Sequence, residues 1–286
     1  MSNTDVRTVE IIVDQLGELP SCPEVLSKAL KLTSDIQSNI DDISRNIAAD
    51  QSLTAKVIRL PNSSFYGRAQ EILSLHEAII VLGFDQVKSI IIAASTAQMF
   101  QSGSHTKIAR ILWEHSLATA LGARLIVQKY GGVDKEEAYL CGLLHDIGKL
   151  VLLKTIPQVY EGIITTVKST NLPFLQVEGN ELGYNHVDVG RELLSKWGFP
   201  TNLISQISAH HSTKPSQMEA LVSLGRVTAI ANSIAKYIGA SFFEAYQREK
   251  ESVFFLGDRV IKDDDLISLR VDTEAIFHYE MNSLYE

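Results

Sequence analysis

In the stretch YLCGLLHDIGKLVLL, Tyr139 to Leu153, His145 and Asp146 stand side by side in an otherwise apolar run. An imidazole and a carboxylate are costly in such surroundings unless a partner or a metal satisfies them. Further imidazoles stand upstream at His115 and downstream at His186 and the pair His210–His211. Imidazoles from four places and one carboxylate make a donor set for a borderline divalent ion such as Zn, Fe, Mn or Ni. Helical bundles build such centres from side chains that face inward from several helices. Taken singly, each residue also has a plainer reading. His115 can be a hydrogen-bonded core residue, His186 a residue opening a helix, and His210–His211 a solvated helix end that suits the dipole. Lys149 can be a snorkelling surface lysine. Asp146 weighs against taking them singly, because within GLLHDIGKLVLL it needs a charge partner. Spacing alone leaves both a metal cradle and a hydrogen-bonded polar core open.

The elements that must position these residues read as helices almost throughout. PEVLSKALKL, from Pro23 to Leu32, repeats its apolar residues at helical steps, with Ser21 and Glu24 as a capping box. Residues 39–63 read as two short helices, with Asn39 as a cap, a junction near Ala48-Ala49-Asp50 and a break at Pro61. LSLHEAIIVLGFDQVKSIIIAAS holds another pair joined at Gly83. The small, polar segment 101–107 marks a boundary. Beyond it a long helix carries His115 and stops at Gly131-Gly132. Asp134 caps the next, predicted to run through the His145–Asp146 doublet to Pro157. On a continuous helix the doublet's side chains point about 100° apart, so one ion has to lie between their directions. A third helix opens at His186 and stops at Gly198 and Pro200, a fourth ends at His210–His211, and a further helix lies in the tail from Ser252. The expectation is an all-α fold in three segments: 1–107, 108–240 carrying the His/Asp cluster, and 241–286.

Composition narrows the class. The chain has 286 residues, 45 % hydrophobic and 21 % charged, an ordinary core-forming mixture. A formal charge of −8 argues against a surface that coats nucleic acid. LGFDQVKSI superficially reads as a turn before a recognition helix, but it offers Lys88 as its one cation. Cys22 and Cys141 lack C-x-x-C spacing, which suits a reducing compartment and gives no thiolate metal site. The first twenty residues lack a basic region followed by a compact apolar one, and the most apolar windows are too short to span a bilayer. A cytoplasmic location is the expectation.

His115, LLHDIGK, NHVDVGRELLSKWGFP and ISAHHS together resemble the HD superfamily, named for its His-Asp doublet. LPSCPEVLSKALKLTSD, DQSLTAKVIRLPNSSFYG and LHEAIIVLGFDQVKSIIIAAS are similar to the HDOD family, the HD-related output domain of bacterial signalling proteins. The resemblance runs from about Leu19 to about Gly239. It implies that His115 is the first family histidine and that His145 with Asp146 is the doublet. It makes Lys149 the lysine found three positions after the doublet in the related HD-GYP phosphodiesterases. His186, His210 and His211 match histidines that let those enzymes hold two or more metals. Two departures stand out. Asn232 occupies the place of the last metal-binding aspartate, and HHSTKPSQME lacks the acidic-glycine-tyrosine-proline signature. Asn232 can still coordinate through its amide oxygen, without adding negative charge.

Two functions follow from the resemblance. One is a regulatory module with a protein partner in a signalling pathway, its His/Asp cluster holding one or two divalent ions. The other is a metal-dependent phosphohydrolase acting on a nucleotide or another phosphoester, with Asp146 and Lys149 as catalytic residues. The Asn232 change and the missing signature favour the first. The retained His115, His145, Asp146, Lys149, His186, His210 and His211 favour the second.

Overall fold

Local chemistry sets most helix ends in the structure, a computed structural model that describes residues 8–14, 44, 47–48, 54, 57–58, 72–101, 105–212, 217–218, 220–242 and 253–285. The capping box at Ser21, the helix Pro23–Leu32, the Asn39 cap and the Pro61 break lie outside the described residues. In chain order the helices are α1 (Val9–Asp14), α2 (Leu75–Leu82), α3 (Phe84–Gln101), α4 (Thr106–Tyr130), α5 (Lys135–Leu144) and α6 (Ile147–Thr155). Then follow α7 (Pro157–Thr170), α8 (Phe174–Leu182), α9 (His186–Lys196), α10 (Thr201–Ser208), a 3-10 turn (Ala209–His211) and α11 (Leu224–Tyr237). Strands β1 (Phe254–Leu256) and β2 (Arg259–Ile261) precede α12 (Asp263–Tyr285). Among the described residues the fold is all-α apart from this hairpin.

The chain divides into two compact units, residues 19–99 and residues 1–18 with 100–286. The sequence expectation had set its boundaries at 107 and 240. In the smaller unit, Ser74 caps α2 by accepting the Glu77 N–H at 3.1 Å. Gly83 takes φ +78 between α2 and α3, the junction expected there. Ile47, Val57, Ile72, Ile79, Val87 and Ile91 form that unit's core.

In the larger unit α4 is the central helix: α5, α11 and α12 all pack on it. Asp134 caps α5, its Oδ1 accepting the N–H groups of Glu136 and Glu137 at 2.9 and 2.8 Å. Helix α9 packs on α6 and on α1, while α10 meets α5 and α11. Two glycines flanking the doublet set how closely these helices cross. A β-carbon on Gly142 would lie 2.7 Å from Cα of Ala120 on α4, and one on Gly148 would lie 1.9 Å from the His186 carbonyl oxygen on α9. Both crossings are therefore backbone against backbone, which larger residues forbid.

One expectation needs correction. The helix predicted to run through the doublet is broken there: His145 keeps helical angles, but Asp146 turns to φ −105 ψ 13 and starts α6 anew. The restriction of a 100° divergence between neighbours on one helix is thereby lifted. The helix expected in the tail stands as α12, with Asp263, Asp264 and Asp265 in its first turn. Ahead of it lies the β1–β2 hairpin, which the sequence reading did not anticipate, with Phe254 opposite Ile261 and Leu256 opposite Arg259. Gly257 at φ +67 begins its two-residue turn, the position where a tight hairpin wants glycine.

Candidate metal centre

Asp146 is 2 % exposed, and four imidazoles from four elements turn towards its carboxylate. Oδ2 lies 3.7 Å from Nε2 of His115 on α4 and 3.3 Å from Nε2 of His145 at the end of α5. Oδ1 lies 3.3 Å from Nε2 of His186, the first residue of α9, and 3.8 Å from Nε2 of His210 in the 3-10 turn. His211 adds its Nε2, 3.1 Å from that of His186, at the exposed rim. Lys149 on α6 completes the surroundings of the carboxylate, its Nζ 2.7 Å from Oδ2 and 4.4 Å from the centre of the Phe174 ring.

The other nitrogen of each ring fixes what these distances mean. Nδ1 of His115 meets the Ala240 carbonyl at 2.7 Å, that of His145 the Gly142 carbonyl at 2.7 Å, and that of His210 the Ile207 carbonyl at 2.8 Å. A carbonyl only accepts, so each Nδ1 carries the hydrogen. His186 does the same towards a carboxylate, Nδ1 to Oε2 of Glu178 at 2.6 Å. In their neutral form all four rings thus present an Nε2 lone pair to a carboxylate, acceptor facing acceptor. His145 Nε2, Asp146 Oδ1 and His210 Nε2 are buried without any hydrogen-bond partner, and so is the amide oxygen of Asn232 on α11. Each buried orphan costs roughly 1–3 kcal/mol, and four of them would rival the 5–15 kcal/mol of a whole domain.

Either protons or a cation must lie between these acceptors. Burial, reinforced by the neighbouring His145, pushes His115 down to about 3, and burial with His145 pushes His210 well below its ordinary value. Those rings stay neutral near pH 7. Burial opposes ionisation of Asp146, but the adjacent His145 ring and Lys149 ammonium overcome it and hold the carboxyl well below its usual range. Neutral imidazole and ionised carboxylate are the forms that bind metal, so the residues present fit a divalent ion. The donor atoms fall into two groups, each within 4.8 Å: His115, His145 and Asp146, and Asp146, His186, His210 and His211.

The structure thus brings together six of the residues singled out in the sequence, together with Lys149. Asn232 stands on α11, which packs against α4 and the 3-10 turn, the elements that carry His115 and His210. Sequence reasoning missed Glu178 and Tyr160. Glu178 is fully buried on α8, accepts both Nδ1–H and the backbone N–H of His186, and takes the Tyr160 hydroxyl at 2.8 Å.

The HDOD domain model matches residues 19–213. An uncharacterised protein of Treponema pallidum is 23 % identical over 247 residues, which are 85 % of this chain and 47 % of that protein. Ribonuclease Y of Aquifex aeolicus is 30 % identical over 141 residues, which are 49 % of this chain and 20 % of the enzyme. The chain thus spans less than half of either relative. An HDOD domain protein of unknown function from Geobacter sulfurreducens superposes with a TM-score of 0.69 at 23 % identity, over 96 % of this chain and 95 % of that one. A candidate signal transduction protein from Marinobacter aquaeolei gives 0.61 at 19 % identity, over 98 % of this chain and 65 % of that one. At such identities these two structures share the fold.

Proposed function

The chain belongs to the HDOD family, and on that premise we propose that it is a regulatory protein of a bacterial signalling pathway whose centre at Asp146 holds one or two divalent metal ions. One observation carries this reading: four buried imidazoles, each tied back through Nδ1, direct Nε2 at a single carboxylate. The regulatory role is preferred to turnover because the Lys149 ammonium is committed to Asp146 beneath Phe174. Asn232 also supplies no negative charge where the related enzymes have aspartate.

The arrangement of the donors favours a second reading, a metal-dependent phosphohydrolase acting on a nucleotide or another phosphoester. Asp146 belongs to both donor groups and would help hold an ion in either. A divalent ion held there would supply Lewis acidity and lower the pKa of a bound water towards about 7. Asp146 would then orient that water, and Lys149 would meet the phosphoryl oxygens by exchanging part of its contact with Asp146.

Elemental analysis of the purified protein and of His145→Ala tests the centre. Stoichiometric metal lost on substitution is expected, and absence of metal from both after Mn²⁺ or Fe²⁺ is supplied overturns it. Cyclic dinucleotides, guanosine tetraphosphate-type nucleotides and a chromogenic phosphodiester then separate the two roles. The regulatory reading expects no turnover by the loaded protein and a specific protein partner retained by Asp146→Ala. Turnover abolished by that same substitution installs the phosphohydrolase in its place.

A further inference from the structure

The four anchored imidazoles are not anchored alike. Three give their Nδ1–H to neutral backbone carbonyls, while His186 gives it to the Glu178 carboxylate at 2.6 Å. Glu178 is 0 % exposed, and His186 is its only ion-pair partner among the described residues. A carboxylate is far costlier to bury than a carbonyl, so packing gives no reason for one here. Its oxygens are instead spent on His186: Oε2 accepts both the ring Nδ1–H and the backbone N–H at 2.9 Å, and Oε1 is held by the Tyr160 hydroxyl. The ring, the start of α9 and the carboxylate are locked as one piece. An imidazole that donates to a carboxylate is a stronger base at its other nitrogen than one that donates to a carbonyl.

We infer that Glu178 is a positioning residue that makes the His186 group the tighter of two ion positions, so that the centre loads there first. This inference rests on the metal-binding reading of the centre. The two groups share Asp146, so the carboxylate does not distinguish them. The group of Asp146, His186, His210 and His211 has one donor more, and it alone contains a ring backed by a full negative charge. His115 and His145, backed by the carbonyls of Ala240 and Gly142, form the weaker position. Tyr160 keeps Glu178 in place by donating its hydroxyl to Oε1 at 2.8 Å.

The test uses the full chain, Mn²⁺ titrated by calorimetry with bound ion counted by elemental analysis, and ¹⁵N-histidine NMR of the chelated protein. Glu178→Gln keeps shape and an acceptor oxygen but removes the charge. It is expected to weaken the tight step about 10- to 100-fold and leave the weak step in place. Tyr160→Phe is expected to weaken the tight step by a few-fold only. His115→Ala is expected to keep the tight step and lose the weak one. In the wild type, NMR is expected to find His186 protonated on Nδ1 and bare on Nε2. An unchanged tight step in Glu178→Gln, or a His186 proton on Nε2, overturns the inference. If the wild type takes up no Mn²⁺ at all, the metal-binding reading fails, and the NMR tautomer still judges what Glu178 does to His186.

Discussion

Lys149 places its ammonium 2.7 Å from Oδ2 of Asp146, the same oxygen that His145 approaches at 3.3 Å and His115 at 3.7 Å. Among the described residues the lysine is therefore the one Lys or Arg side chain pairing with a carboxylate that otherwise faces imidazoles. Breaking a buried pair by removing one partner typically costs 3–5 kcal/mol. Lys149→Met is expected to lose about 3 kcal/mol in chelator and under about 1 kcal/mol in saturating Mn²⁺, where an ion takes over the balancing charge. Urea unfolding with and without chelator measures both. An equal loss in the two conditions would reduce Lys149 to a packing residue.

The two donor groups make separable expectations for metal content. Asp146 is common to both, His115 and His145 belong to one, and His186, His210 and His211 to the other. Asp146→Ala is expected to abolish uptake, whereas His115→Ala and His211→Ala each remove one position and spare the other. Ion counts per chain after dialysis against Mn²⁺ read this directly. Both ions lost in His211→Ala would mean that the groups act as one site.

Acid should loosen the chelated protein through its buried rings. His115 is held at about 3 in the folded chain against an ordinary 6.5, chiefly by burial and then by His145. The folded value is the lower one, so the unfolded chain takes up the proton first. Its contribution to stability is whole above pH 6.5 and drains away as pH falls towards 3. His210 is shifted in the same direction. Asp146, held below its ordinary 3.8, adds a loss at still lower pH. Urea midpoints between pH 7 and 4 are expected to fall steeply for the wild type and less steeply for His115→Gln.

Gly148 and Gly162 are both helical glycines with opposite expectations. A β-carbon at Gly148 meets the His186 carbonyl oxygen at 1.9 Å, while one at Gly162 on α7 meets nothing within 4 Å. Gly148→Ala must push α6 off α9 and is expected to lower stability by about 3 kcal/mol or more. Gly162→Ala is expected to raise it by roughly 0.5–1 kcal/mol, through helix propensity alone. Paired thermal melts compare them, and similar melting temperatures would dispose of the close crossing.

Residue type and caps made much of this legible in the sequence. Asp134, Gly83 and Gly131 act where their chemistry said they would, and the histidines on separate helices do converge. The break at the doublet was hidden because neither glycine nor proline marks it; Asp146 alone leaves the helical angles. Gly142 and Gly148 were not singled out, since a crossing of two distant backbones leaves no local trace in the sequence. Glu178 was missed because its helix has no histidine, and an isolated glutamate there reads as surface until burial is known. The hairpin lies just ahead of the expected tail helix and was not read, although Gly257-Asp258 was its available signal.

His115 reaches Ala240 across 125 residues of chain, and His186 reaches His211 across 25. Closing loops of such length costs entropy that the unfolded chain must surrender. Cys141, a free and buried thiol, offers no covalent staple. Ions gripped by Asp146 and its imidazoles would serve as reversible cross-links between those same distant segments, so that loading and folding become one equilibrium. The free metal concentration would then help set how readily each copy unfolds.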